Sequence, residues 1–111
     1  MNGLTDYITQ WPWVSIVTTW FVLVDDAYCR LVAKQGRPFR TSGPEPTFSD
    51  SEVITVSLII EAFFQGHEEL GYAFVSQFLR DLFPNLIDLD RFNARRRALI
   101  AVIEAIRRDL R

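Results

Sequence analysis

A helix-capping signature runs directly into an apolar segment in the stretch SDSEVITVSLIIEAFFQ, residues 49–65. Ser49 and Glu52 have the capping-box spacing, in which the serine hydroxyl accepts from the third backbone amide and the glutamate reaches back. The residues that follow are apolar around most of the helical circumference. The polar stripe is narrow and consists of Asp50, Ser57 and Glu61. Because such a helix packs on more than one side, the stretch predicts the central helix of an all-helical domain.

Three further helices are predicted around this central one. Apolar residues recur at helical spacing in residues 13–34, and Pro12 fits the first turn, where no amide hydrogen is needed. A third helix covers residues 69–83 and ends before Pro84. A fourth begins at Asp90, which suits an N-cap, and continues to residue 111. The sequence thus predicts a small four-helix bundle with a helix-turn-helix-like C-terminal half.

We expect one domain in three parts. The chain has 111 residues, of which 49% are hydrophobic, and this is enough for a single core. Residues 1–34 form an aromatic N-terminal helix, and residues 35–48 form a loop that contains three Pro and two Gly. Residues 49–111 form a three-helix unit for DNA binding or assembly.

Composition also indicates the cellular compartment in which the protein works. Cys29 is the single cysteine, so it can close no intrachain disulfide, and no neighbouring residues complete a zinc site. The apolar run at residues 13–24 contains hydroxyl residues and ends at an acidic pair, which is too polar and too short for a membrane span. These features predict a cytoplasmic protein without a membrane partner.

Charge is distributed unevenly along the chain. Residues 53–90 carry six acidic residues and one Arg, whereas residues 91–111 carry seven Arg and two acidic residues. A basic cluster lies in the opening turns of the last predicted helix and consists of Arg91, Asn93, Arg95, Arg96 and Arg97. Arg contacts phosphates and guanine edges, and Asn suits adenine edges, so the cluster is a candidate DNA-binding site. The alternative is a solvated face that pairs with the acidic segment before it.

The remaining chemical candidates are weaker. Asp25 and Asp26 could hold a divalent metal with Glu52, Glu61 or His67, but both aspartates fall on the polar side of the first helix and diverge. Cys29 has no histidine beside it that would activate a nucleophile. We therefore expect no metal site, no catalytic residues, no cofactor and no small-molecule substrate.

Three segments together resemble the N-terminal region of bacterial insertion-sequence transposases of the DDE type. They are FVLVDDAYCRLV at 21–32, FSDSEVITVSLIIEAFFQG at 48–66, and FLRDLFPNLIDLDRFNARRRALIAVIEAIRRDL at 78–110. In that family a helical N-terminal part precedes an RNase H-like domain, in which two Asp and one Glu hold two metal ions. The resemblance implies that this chain is the non-catalytic part and that the catalytic domain would follow Arg111.

Two functions are therefore expected from the sequence. The first is a DNA-binding or assembly module of a transposase, with double-stranded DNA as partner. The second is a helical dimerisation module without DNA binding, suggested by an aromatic first helix that contains Trp11, Trp13, Trp20 and Phe21. An exposed stripe on that helix would require either a second copy or cover from the 35–48 loop.

Overall fold

The computed structural model describes residues 3–36, 39 and 46–110, with side chains from residue 12 onward. Within these ranges the chain forms α-helices and no strands, which confirms the all-α prediction. The helices are α1 Gly3–Gln35, α2 Asp50–Phe64, α3 Glu68–Phe78, α4 Leu89–Ala98 and α5 Ile100–Asp109. Most of the predicted 35–48 loop and the side chain of Trp11 lie outside the described residues.

The capped helix α2 is the centre of the bundle, as its sequence predicts. The Ser49 hydroxyl accepts from the Glu52 amide at 3.2 Å, and the Ser49 amide donates to Glu52 Oε1 at 2.9 Å. All residues from 53 to 60 are buried. The helix ends where Gln65 and Gly66 take left-handed conformations, with φ of 55° and 82°.

Helix α1 is longer than predicted. It is continuous from Gly3 to Gln35, so Pro12 lies inside the helix and not in its first turn. A proline inside a helix removes one backbone hydrogen bond and its ring crowds the carbonyl four residues earlier, so Pro12 destabilises α1 locally, yet the helix continues past it. Val17 and Val24 are buried because α1 packs against α2 and α5. Part of the apolar stripe of α1, Val17 and Val24, is thus covered within the bundle, and cover of the rest by the 35–48 loop or a second copy stays a prediction.

Helix α3 is shorter than the predicted 69–83 segment and ends at Phe78. The chain then turns so that Leu79 and Phe83 both reach the core, where the Phe83 ring lies 6.5 Å from that of Phe48. This packing overrides the helical periodicity. Phe78, predicted to be buried, is 52% exposed.

The last predicted helix is divided at Leu99, where φ of −100° and ψ of 10° separate α4 from α5. This break accounts for the fifth helix. The N-cap is Asp88 and not Asp90, because the Asp88 carboxylate accepts from the Arg91 amide at 2.9 Å. Phe92 is fully buried as predicted, whereas Leu110, also predicted to be buried, is partly exposed.

The helix-turn-helix-like character of the C-terminal half stays a prediction. Residues 79–88 separate α3 from α4, which exceeds the three or four residues of a helix-turn-helix turn. A turn of that length, residues 65–67, joins α2 to α3 instead, and α3 begins with Glu68 and Glu69. In the described part of the chain, no helix combines the length and apolar character needed to cross a membrane.

Candidate nucleic-acid interface

The predicted basic cluster lies on α4, but its members differ in exposure and in their partners. Helix α4 begins after Asp88, and the buried Phe92 fixes which side faces the core. The cluster therefore separates into inward-facing side chains that are paired within the chain and outward-facing side chains that remain accessible. Each member has its own surroundings.

Arg95 faces inward and joins α4 to the start of α2. Its guanidinium donates to the Phe48 carbonyl and lies 2.8 Å from Asp50 Oδ1, and it also stacks over the Phe48 ring at 5.8 Å. The Tyr28 hydroxyl donates to the other carboxylate oxygen of Asp50 at 2.6 Å, which adds α1 to the network. These contacts occupy Arg95, so it is not among the accessible DNA contacts that the sequence suggested.

Arg96 and Arg91 also have acidic partners. Arg96 pairs with Glu68 of α3, and both side chains are partly buried. Arg91 pairs with Asp88 at 2.7 Å, but both of these side chains are mostly exposed, and such surface pairs contribute little stability. Arg96 therefore has a structural contact between helices, whereas Arg91 can exchange Asp88 for another anion.

Asp88 remains ionised to low pH because of its position at the helix start. The Arg91 backbone amide, and then the Arg91 side chain, donate to its carboxylate and lower the pKa of Asp88. A negative charge at this position also matches the positive end of the helix dipole. The first turn of α4 is therefore held in place next to the exposed Arg91 guanidinium.

Arg97 is the second exposed arginine of the cluster, after Arg91. Its side chain is exposed, and within the described part of the chain it makes no hydrogen bond or ion pair. Asn93, which the helical wheel placed beside it, is only partly exposed, and its Oδ1 is buried without a partner. The prediction that Asn93 points outward is therefore wrong, because the start of α3 lies close enough to cover it.

Two residues that the sequence analysis did not select complete the outward face of α4. Ala94 and Ala98 are exposed on the same side of this helix as Arg97. The sequence already indicated these positions, because residues 91, 94 and 98 follow the i, i+3, i+7 spacing of one helical face. Small side chains leave the backbone of α4 accessible between the guanidinium groups.

The acidic residues weighed as metal ligands are engaged elsewhere. Asp25 accepts from the Ser51 hydroxyl at 2.8 Å, Glu52 caps α2, and Glu61 pairs with Arg107. Among the residues whose positions are given, no three His, Cys, Asp or Glu side chains are arranged so that they could hold a metal ion. His67 precedes α3 and is exposed.

No family model, curated protein or solved structure matches this chain. The resemblance to insertion-sequence transposases therefore stays a prediction from the quoted segments. The exposure of Arg91 and Arg97 on α4 is an observation that does not depend on this resemblance.

Proposed function

We propose that this chain is a non-catalytic DNA-binding and assembly module of a transposase, and that the outward face of α4 contacts double-stranded DNA. The observation that carries the proposal is the exposed guanidinium of Arg97, which has no partner in the described residues. An unpaired guanidinium on a rigid helix can contact phosphate oxygens or the edge of a guanine.

The composition of this face supports a close approach to DNA. Arg91 and Arg97 flank Ala94, and Ala98 follows on the same side. An α-helix with its side chains is about 10–12 Å in diameter, and the major groove is about 12 Å wide, so α4 has a suitable diameter for insertion. Exposed alanines would allow the helix backbone to approach the base edges while the two arginines reach the flanking phosphates.

The inward-facing arginines support the same proposal in a different way. Arg95 connects α4 to Asp50 at the start of α2, and Arg96 connects it to Glu68 at the start of α3. Binding residues act best on an element whose position is fixed by neighbouring contacts. Two members of the cluster, Arg95 and Arg96, thus hold α4 in place while Arg91 and Arg97 remain available to a ligand.

The transposase assignment is supported by sequence resemblance, chiefly at residues 48–66 and 78–110. A cytoplasmic location goes with this proposal, because DNA would be the partner and the lone Cys29 is typical of a reducing compartment. DNA contact itself is supported by α4 alone and can be tested without reference to the family.

The test is binding to mixed-sequence DNA duplexes over a series of salt concentrations. We expect wild-type affinity to fall steeply with salt, because phosphate contacts release counterions. Arg97→Ala should reduce the slope of log affinity against log salt by about 1 if it contacts a phosphate, or cost about 1–3 kcal/mol on a selected site if it contacts a base.

Arg30→Ala is the matched control. Arg30 is an exposed arginine on α1, paired with Asp109, so its removal changes net charge by the same amount on another helix. It should alter binding much less than Arg97→Ala. A flat salt response, or equal losses for the two variants, would contradict DNA binding by α4.

A further inference from the structure

An apolar strip runs along the surface formed by α1, α2 and α3. It consists of Leu23, Trp20, Phe63, Trp13, Phe74 and Phe78. Its rings are in contact: Trp20 lies 5.5 Å from Phe63, Phe63 4.9 Å from Trp13, Trp13 5.0 Å from Phe74, and Phe74 5.3 Å from Phe78. The strip is thus one continuous surface.

One end of the apolar strip opens into a groove between α1, α2 and α5. The groove has a volume of about 330 Å³, with Trp20 and Leu23 on one wall and Leu110 on the other. Its lining is apolar except for Glu61 and Arg107. The groove therefore extends the apolar strip to the C-terminal end of α5.

Three side chains of the apolar strip are close to half exposed. Phe63, Phe78 and Leu23 are 44%, 52% and 46% exposed. Since an aromatic side chain carries roughly 150–250 Å², the strip and groove together expose on the order of 400 Å² of apolar surface. Continuous patches of this size on monomeric proteins are often binding sites.

We propose that the apolar strip binds a second copy of this chain. A standard interface buries about 800 Å² per partner, and weak ones bury less than about 600 Å², so an apolar centre of this area with a polar rim matches a weak dimer. This proposal is independent of DNA binding, because the apolar strip lies on helices other than α4.

The charges at the rim favour a second copy over other occupants. Arg107 pairs with Glu61 and Glu104 at the groove, and Asp109, next to Leu110, pairs with Arg30. A twofold dimer brings the same patch of each subunit against itself, which requires a self-complementary surface. Because this surface carries carboxylates and guanidinium groups together, a carboxylate of one copy can meet a guanidinium of the other.

The test is the mass of the purified chain in solution over a range of concentrations, measured by light scattering without DNA. We expect the average mass to rise from that of one chain, 12.9 kDa, towards twice that value. Leu23→Asp and Phe78→Asp should each hold the mass at that of one chain, because both place a charge in the apolar strip.

Val22→Asp is the matched control, since Val22 is 52% exposed on α1 and lies on the opposite side of that helix from Trp13 and Trp20. This variant should dimerise as the wild type does. Circular dichroism of each variant checks that the fold is retained. Leu23 and Phe78 lie at opposite ends of the apolar strip, so the two strip variants test it independently. A wild-type chain that stays at the mass of one copy at every concentration overturns the proposal, as does dimerisation that survives in both strip variants.

Discussion

The guanidinium of Arg95 lies 2.8 Å from the Asp50 carboxylate, so a member of the basic cluster on α4 is anchored at the first turn of α2. Arg95 is 23% exposed and Asp50 13%, so the pair is largely withdrawn from water. Tyr28 of α1 donates to the same carboxylate. Removing either charge would leave the other with fewer partners in a partly buried site, and this is costly.

The first prediction separates this structural arginine from the exposed one. Arg95→Ala should lower the free energy of unfolding by about 2 kcal/mol, because hydrogen bonds to charged groups are lost and Asp50 keeps only part of its network. Arg97→Ala should change it by less than about 0.5 kcal/mol, as is usual for exposed positions. Urea denaturation measures both. If the two variants lowered the free energy of unfolding equally, the division of the cluster into a structural Arg95 and an exposed Arg97 would be contradicted.

The second prediction concerns the contact between Arg96 and Glu68. Glu68→Lys should lower stability by about 1 kcal/mol, because it replaces an attraction between α3 and α4 with a repulsion between partly buried groups. Glu69→Lys changes the charge of the exposed next residue and should have little effect. Adding Arg96→Glu to Glu68→Lys should restore most of the loss. Without such recovery, the pair does not couple the two helices.

The features predicted well from the sequence are those set by local patterns. The capping box at Ser49, the buried run at residues 53–60 and the buried Phe92 depend on residues within a few helical turns, so spacing alone indicates them. The all-helical class follows from the same periodicity. Their physical causes are contained in the segments themselves.

The features predicted poorly depend on distant residues. A helical wheel cannot show that Arg95 meets Asp50, 45 positions earlier in the chain, or that the start of α3 covers Asn93. Phe78 is exposed because the chain leaves the helix to place Leu79 and Phe83 in the core. In each case tertiary packing determines the outcome, and local propensity is overridden.

The third prediction addresses Gly71, where α3 approaches α2 most closely among the described glycines. A Cβ added at Gly71 would lie 2.6 Å from Ile60 Cγ1 and 2.9 Å from Ile60 Cγ2. Gly71→Ala should therefore cost about 1–3 kcal/mol of overpacking, although alanine is the better helix former by about 1 kcal/mol.

Truncation of the opposing side chain checks the cause. Ile60→Ala is itself destabilising, but in that background Gly71→Ala should cost much less, because Ile60 Cγ1 and Cγ2 are gone and only Cβ, at 3.1 Å, remains. Thermal unfolding of the four proteins of this cycle gives the coupling. If the cost of Gly71→Ala is the same in both backgrounds, contact with Ile60 is not its origin.

The last prediction concerns the pH dependence of Cys29, which is exposed on α1 and carries no disulfide. Partial desolvation, followed by the negative charges of Asp25 and Asp26, raises the pKa of its thiol. A thiol whose pKa is raised by folding stays protonated to higher pH. The free energy of unfolding is therefore unaffected by this thiol at low pH and falls as pH rises from the unfolded pKa through the raised pKa of the folded state. Because the thiolate is the nucleophile, alkylation should begin at higher pH than for cysteine in an unfolded peptide.

Since the chain has one cysteine, the rate of iodoacetamide labelling against pH reports this site alone. Asp26→Asn should shift the profile to lower pH, whereas Asp81→Asn, at an exposed position that does not contribute to the shift, should leave it unchanged. A wild-type profile that matches the unfolded peptide, or one that Asp26→Asn does not move, would show that these carboxylates do not govern the thiol.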